Sequence, residues 1–217
     1  MQAASTQTLY AYWSRLRGAR SAPDRRDIDP TQIRTALGNT FILEQTIDNE
    51  FNFRLAGSHL CAAYARELKG RSFSRLWDAR DRDAVDTLVR AVTEDHAVAL
   101  ISFEGMTAVG GKAGFEAILL PLRHNGTTQS RMLGAMTVLE EPYWFGMQPV
   151  LEQRVTGLRL IWPDELGSDD RPRELAAPVL DAFAFAERSG RLAMPATVSG
   201  KSARRYAHLA VIDGGRA

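Results

Sequence analysis

Apolar residues first recur at helical spacing near the N-terminus. Leu9, Tyr12, Trp13 and Leu16 stand at i, i+3, i+4 and i+7, which predicts an amphipathic helix over residues 6–17. Gln7, Arg15 and Arg17 lie off that stripe, and Gly18 ends it. A charged connection, 19–27, follows. Asp29 then suits an N-cap, Pro30 the first helical position and Gln32 the third position of a capping box. Ile28 and Ile33 fit a hydrophobic staple, Leu37 closes the stripe and Gly38 suits a left-handed C-terminal residue, so a second helix is predicted from Asp29 to Leu37.

The period then shortens to two. Strands are predicted at 40–46 and 51–55, joined by a turn at Asp48-Asn49-Glu50. Ser58 is placed to cap a short helix carrying Leu60, Cys61 and Tyr64. Gly70 interrupts the chain, Phe73, Leu76 and Trp77 mark an apolar turn, and Val85, Leu88, Val89 and Val92 share one face of a longer helix over 81–94. Three longer strands are predicted at 97–106, 114–123 and 131–140, with Gly110-Gly111 and Asn125-Gly126 as hairpin turns. Consecutive strands after a helical block indicate an α+β fold rather than a doubly wound parallel sheet.

The last of these strands is apolar on both sides. Met132, Met136 and Val138 point one way, and Leu133, Ala135 and Leu139 the other, so both faces of the sheet need cover. The short helices suit one face and the N-terminal stripe suits the other. Past Glu140 an aromatic turn, Pro142-Tyr143-Trp144-Phe145, leads to a possible further strand at 155–162. Residues 163–173 read as a linker, 175–188 as a short helix and 189–217 as a tail without a core-forming pattern. The expected organisation is therefore an N-terminal helix and connection (1–28), an α+β domain (29–140), an extension (141–162) and a linker with tail (163–217).

Composition narrows the function classes. The 217 residues are 45% hydrophobic and 24% charged, with a formal net charge of +1. That is ordinary globular composition with no strong field toward nucleic acid or membrane. The sole cysteine, Cys61, excludes a disulfide within the chain, and no apolar run reaches the length of a membrane span. A polar start without a signal-peptide pattern leaves the cytoplasm as the expected compartment.

Catalytic and metal-binding patterns are missing from the sequence. His59, His96, His124 and His208 are scattered, without HxH, HExxH or CxxC spacing. Gly110-Gly111-Lys112 lacks the rest of a phosphate loop, and no serine sits in a GxSxG elbow. Cys61 beside Leu60 and Tyr64 reads as a buried helical thiol, with a redox sensor as the alternative. Arginines 15, 17, 20, 25, 26 and 34 form a basic cluster, offset by Asp24, Asp27 and Asp29; it reads as a solvated face, or else as a contact for an anionic partner.

The order of two strands, short helices, one longer helix and three strands resembles a PAS domain. More narrowly, it is similar to a family of small bacterial stand-alone PAS-like proteins. The residues that carry this are Tyr12-Trp13 with Leu16-Arg17-Gly18, Arg26-Asp27-Ile28-Asp29-Pro30, Phe53-Arg54-Leu55-Ala56-Gly57-Ser58, Leu60-Cys61, Arg66-Glu67-Leu68 with Gly70, and Leu76-Trp77; His208-Leu209 and Gly214-Gly215-Arg216 match its tail. The resemblance implies a five-stranded antiparallel sheet with short helices on one face and the N-terminal helix on the other. It also implies a non-catalytic sensory module that contacts a signalling protein, a kinase or another PAS protein. No cofactor is expected. PAS haem ligands often sit on the longer helix, which holds no histidine here, and the cysteine motif of flavin photosensors is missing.

Two consequences are specific enough to check. A ligand cavity between sheet and short helices would be lined by some of Phe53, Leu55, Cys61, Tyr64, Leu76, Trp77 and Val89; the same residues would equally serve as a filled core. PAS domains commonly dimerise through an N-terminal helix, which implies a homodimer contact at Leu9, Tyr12, Trp13 and Leu16. The competing functions are a small-molecule carrier or an enzyme using that cavity, and a nucleic-acid or nucleotide binder using the arginine cluster.

Overall fold

Alternating apolar residues build one antiparallel sheet in the computed structural model, which describes residues 1–124 and 126–162. Its strands are β1 (Thr40–Gln45), β2 (Phe51–Ala56), β3 (Val98–Met106), β4 (Lys112–His124), β5 (Thr127–Val138) and β6 (Glu152–Ile161). Their order across the sheet is β2-β1-β5-β4-β3-β6. Three helices accompany them: α1 (Ala4–Arg17), α2 (Ser58–Ala63) and α3 (Arg82–Glu94). Asn125 and the segments 163–173, 175–188 and 189–217 assigned above lie outside the described residues.

The sheet has six strands rather than five. After β5, the aromatic turn closes on itself, with Phe145 N–H donating to Pro142 O (3.0 Å) and Gln148 N–H to Trp144 O (3.0 Å). The chain then runs back along the whole of β3, from Met106 opposite Glu152 to Val98 opposite Ile161. Residues 152–161 thus extend the sheet instead of trailing from it.

The helix predicted from Asp29 to Leu37 breaks into two short 3-10 turns, Pro30–Ile33 and Leu37–Asn39. Asp29 does cap, accepting from Thr31 N–H (3.0 Å). The reciprocal half of the box fails because Tyr12 Oη already accepts from Asp29 N–H (2.6 Å), so the Gln32 amide donates to the Asp29 carboxylate instead. A reciprocal box forms earlier, between Asp24 and Asp27. Gly38 is not left-handed; a side chain there would meet the His59 ring at 2.8 Å. Ser58 is the first residue of α2 rather than its cap, which is Gly57.

Candidate functional site

The helical face of the sheet is filled with rings. Phe41, Phe53, Phe73, Trp77, Phe103, Phe115 and Phe145 form an unbroken series, each ring 5.0–6.2 Å from the next. Two gaps in the sheet surface receive them. A side chain at Gly134 would fall 2.3 Å from the Phe41 ring, and one at Gly105 would fall 2.7 Å from Phe115. These strand glycines exist for close approach, since a Cβ would displace the aromatic lying across them.

Of the seven residues expected to line a cavity, Phe53, Tyr64, Leu76, Trp77 and Val89 join this packed cluster and are 1–8% exposed. Leu55 does not. The register of β1 against β2 shifts between Ile42 and Leu43, which leaves Arg54 without an opposite residue. That extra residue reverses the alternation, so Leu55 sits opposite Ile42 and is 49% exposed. Cys61 is half-buried at the edge of the cluster, with Sγ 3.8 Å from Glu67 Oε1, and so is not a fully buried thiol.

One polar island interrupts the rings. Tyr64 Oη donates to Gln153 Oε1, and Met136 Sδ lies 3.3 Å from the same hydroxyl. Burial holds the Tyr64 phenol well above its ordinary pKa. Nε1 of Trp77 and Nε2 of Gln153 are buried without a hydrogen-bond partner among the described residues. At the edge of this region the Asp81 carboxylate accepts from Val155 N–H (2.8 Å) and ties α3 to β6. Its pKa is raised, chiefly by desolvation.

The opposite face is aliphatic and belongs to α1. Leu9, Tyr12 and Trp13 pack on Ile118, Leu120, Leu122, Leu133 and Ala135, while Leu16 is half-buried at the margin. Trp13, fully buried, donates Nε1–H to Pro121 O (2.8 Å). The four residues expected at an interface between chains therefore cover the sheet of their own chain. Met132, Met136 and Val138 face the rings and Leu133 and Ala135 face α1, as the alternation requires.

A residue that sequence reasoning passed over anchors this helix. Glu116 in β4 is 2% exposed, and its carboxylate accepts from Gln2 N–H (2.9 Å), Ala3 N–H (3.1 Å) and Thr6 Oγ1. Ala3, the N-cap of α1, makes no side-chain cap, and the sheet acid instead holds the entry to the helix through the N–H groups of Gln2 and Ala3 and the Thr6 hydroxyl, beside the positive end of the helix. The signal was present: Glu116 is the lone charge within the apolar run of residues 113–122.

Among the described residues no group of three or more His, Cys, Asp or Glu is placed to hold a metal, and no helix is long and apolar enough to cross a membrane. A family model described as a PAS domain matches residues 1–137. No curated protein matches the chain. Solved structures with a similar fold include a light-oxygen-voltage domain studied with a flavin analogue (17% identity, 52% of this chain and 85% of that one, TM-score 0.42). Another is the PAS domain of a Colwellia psychrerythraea protein (12%, 51% and 97%, 0.38). A third is the PAS domain of an HTR-like protein from Haloarcula marismortui (17%, 50% and 89%, 0.36).

Proposed function

This chain belongs to the PAS domain family, and on that premise we propose that it is a non-catalytic regulatory module in the cytoplasm, working through contact with a signalling protein. The observation that carries this reading is the filled helical face. A carrier or an enzyme needs room for its small molecule, and here the ring series from Phe41 to Phe145 occupies the place where a core ligand would lie. An interaction module can have such a core because its working surface is outside.

The expected partner is a kinase or another PAS protein. The homodimer also belongs to this reading, in one form: two copies that exchange α1 would retain the contacts of Trp13 and Glu116 across a symmetric pair. Native mass spectrometry of the purified full chain is expected to give the mass of one or two polypeptides, with no small molecule held in the core. Affinity purification from the native cell is expected to enrich a signalling protein. A stoichiometric small molecule seated in the core, or robust phosphotransfer, cyclase or hydrolase turnover, overturns the reading.

A further inference from the structure

Between α2 and α3 the chain turns back along the outer edge of β2. Gly70 N–H donates to Phe53 O (2.7 Å), Phe53 N–H to Arg71 O (2.9 Å) and Phe73 N–H to Phe51 O (2.8 Å). The bend places Gly70 at φ 80 and Ala65 at φ 46, the latter a left-handed conformation that costs energy for a residue with a Cβ. This fold-back brings Arg66, Arg71 and Arg75 to one open cleft of about 400 Å³, whose wall also holds Ser72, Asn52 and Glu50.

The charges in the cleft are unbalanced. Glu50 is its only acid and lies 3.7 Å from Arg75. Arg71 donates Nε–H to the backbone oxygen of Glu67 (2.9 Å), and the Arg66 guanidinium lies 6.0 Å from the centre of the Tyr64 ring. Among the described residues, neither Arg66 nor Arg71 pairs with a carboxylate. Asn52 Oδ1 is buried in the wall without a hydrogen-bond partner among them. Two unneutralised guanidinium groups lining one cleft suit a doubly charged phosphate better than a singly charged carboxylate, because the charges balance and each fork can meet two of its oxygens.

We propose that this cleft binds a phosphate monoester of mononucleotide size. Arg66 and Arg71 hold the phosphate, and Ser72 and Asn52 meet the rest of the molecule. The site lies outside the sheet and does not depend on the function proposed above.

Calorimetric titration of the full chain with adenosine monophosphate, guanosine monophosphate and inorganic phosphate tests this. A mononucleotide should bind at one site and more tightly than inorganic phosphate, which lacks the portion that reaches Ser72 and Asn52. Arg66→Gln and Arg71→Gln should each weaken it by roughly tenfold or more, with the circular dichroism unchanged. Arg15→Gln, which removes an exposed charge on α1, should not affect it. In the wild type, amide shifts on titration should centre on residues 66–76. No binding at millimolar mononucleotide overturns the proposal. So does equal affinity for inorganic phosphate, an equal loss in Arg15→Gln, or amide shifts elsewhere.

Discussion

The two faces of the sheet are both apolar, yet they are closed in opposite ways. The helical face is covered by α2, α3 and the turns between them, and it is aromatic, with Trp77, Phe73 and Phe103 each 1% exposed. The outer face is covered by α1 and is mostly aliphatic, held at two polar points, Trp13 to Pro121 and Glu116 to the start of the helix. One cover is threaded into the middle of the chain and cannot leave without unfolding the sheet. The other precedes β1 and reaches the sheet through the connection of residues 18–39. The two covers thus differ in how the chain joins them to the sheet, not in how fully they bury it.

Trp77→Ala should have the largest effect. It removes the ring that bridges Phe73 and Phe103 and should cost about 3–5 kcal/mol, a large share of a domain's total stability. Urea denaturation should show a strong shift of the single transition. A loss under about 1 kcal/mol would mean that the site collapses easily and that the helical face is not the structural centre.

On the outer face, Trp13→Glu should release α1 while leaving the sheet folded. The exposed Ile118, Leu120 and Leu133 then favour association, so light scattering should show larger species than wild type. A shift from dimer to monomer would instead place Trp13 on the partner's sheet, as in a pair that exchanges α1, and refute its service to its own sheet. Glu116→Ala should act at the same boundary but less, by about 1–3 kcal/mol for the stranded N–H groups. Glu116→Gln, which still accepts, should cost less. Amide exchange of residues 2–6 reads both, and no change in exchange would remove Glu116 as the anchor.

The smallest effect concerns pH. Asp81 in the fold has a pKa above the ordinary 3.8, mainly through desolvation. The folded state therefore holds its proton more tightly than the unfolded state, and stability falls as pH rises from 3.8 through the raised value. Above that value the penalty is constant. Asp81→Asn keeps an acceptor for Val155 N–H and removes the penalty. Its denaturation midpoint should match or exceed wild type at pH 7 and vary less with pH in the acid range. Asp86, also raised by desolvation, leaves part of that dependence in place. A steeper pH dependence in Asp81→Asn would contradict the desolvation account.

Most of the fold was legible because it rests on local periodicity. The α1 stripe at Leu9, Tyr12 and Trp13 and the two-sided alternation of Met132 to Val138 need only the geometry of a helix and a strand. Local signals failed where a distant group intervened. Asp29, Pro30 and Gln32 spell a helix start, but Tyr12 takes the N–H that the box requires. Leu55 alternates correctly in sequence, but a bulge at Arg54 turns it outward.

The candidate sites divide along the same line. Burial of Phe53, Tyr64, Trp77 and Val89 follows from their apolar character in regular elements, and the sequence alone determined it. Whether they enclose a space or fill one depends on Gly105 and Gly134 making room for Phe115 and Phe41, a contact between strands that no single strand encodes. Only the tertiary structure decided that Trp13 donates to Pro121 O, that Glu116 anchors the entry to a helix more than a hundred residues away in the chain, and that Arg66, Arg71 and Arg75 share a cleft. The physical reason is common to all three: hydrophobic burial is read from composition and period, whereas charges and hydrogen bonds act between specific atoms whose proximity exists only after the chain has folded.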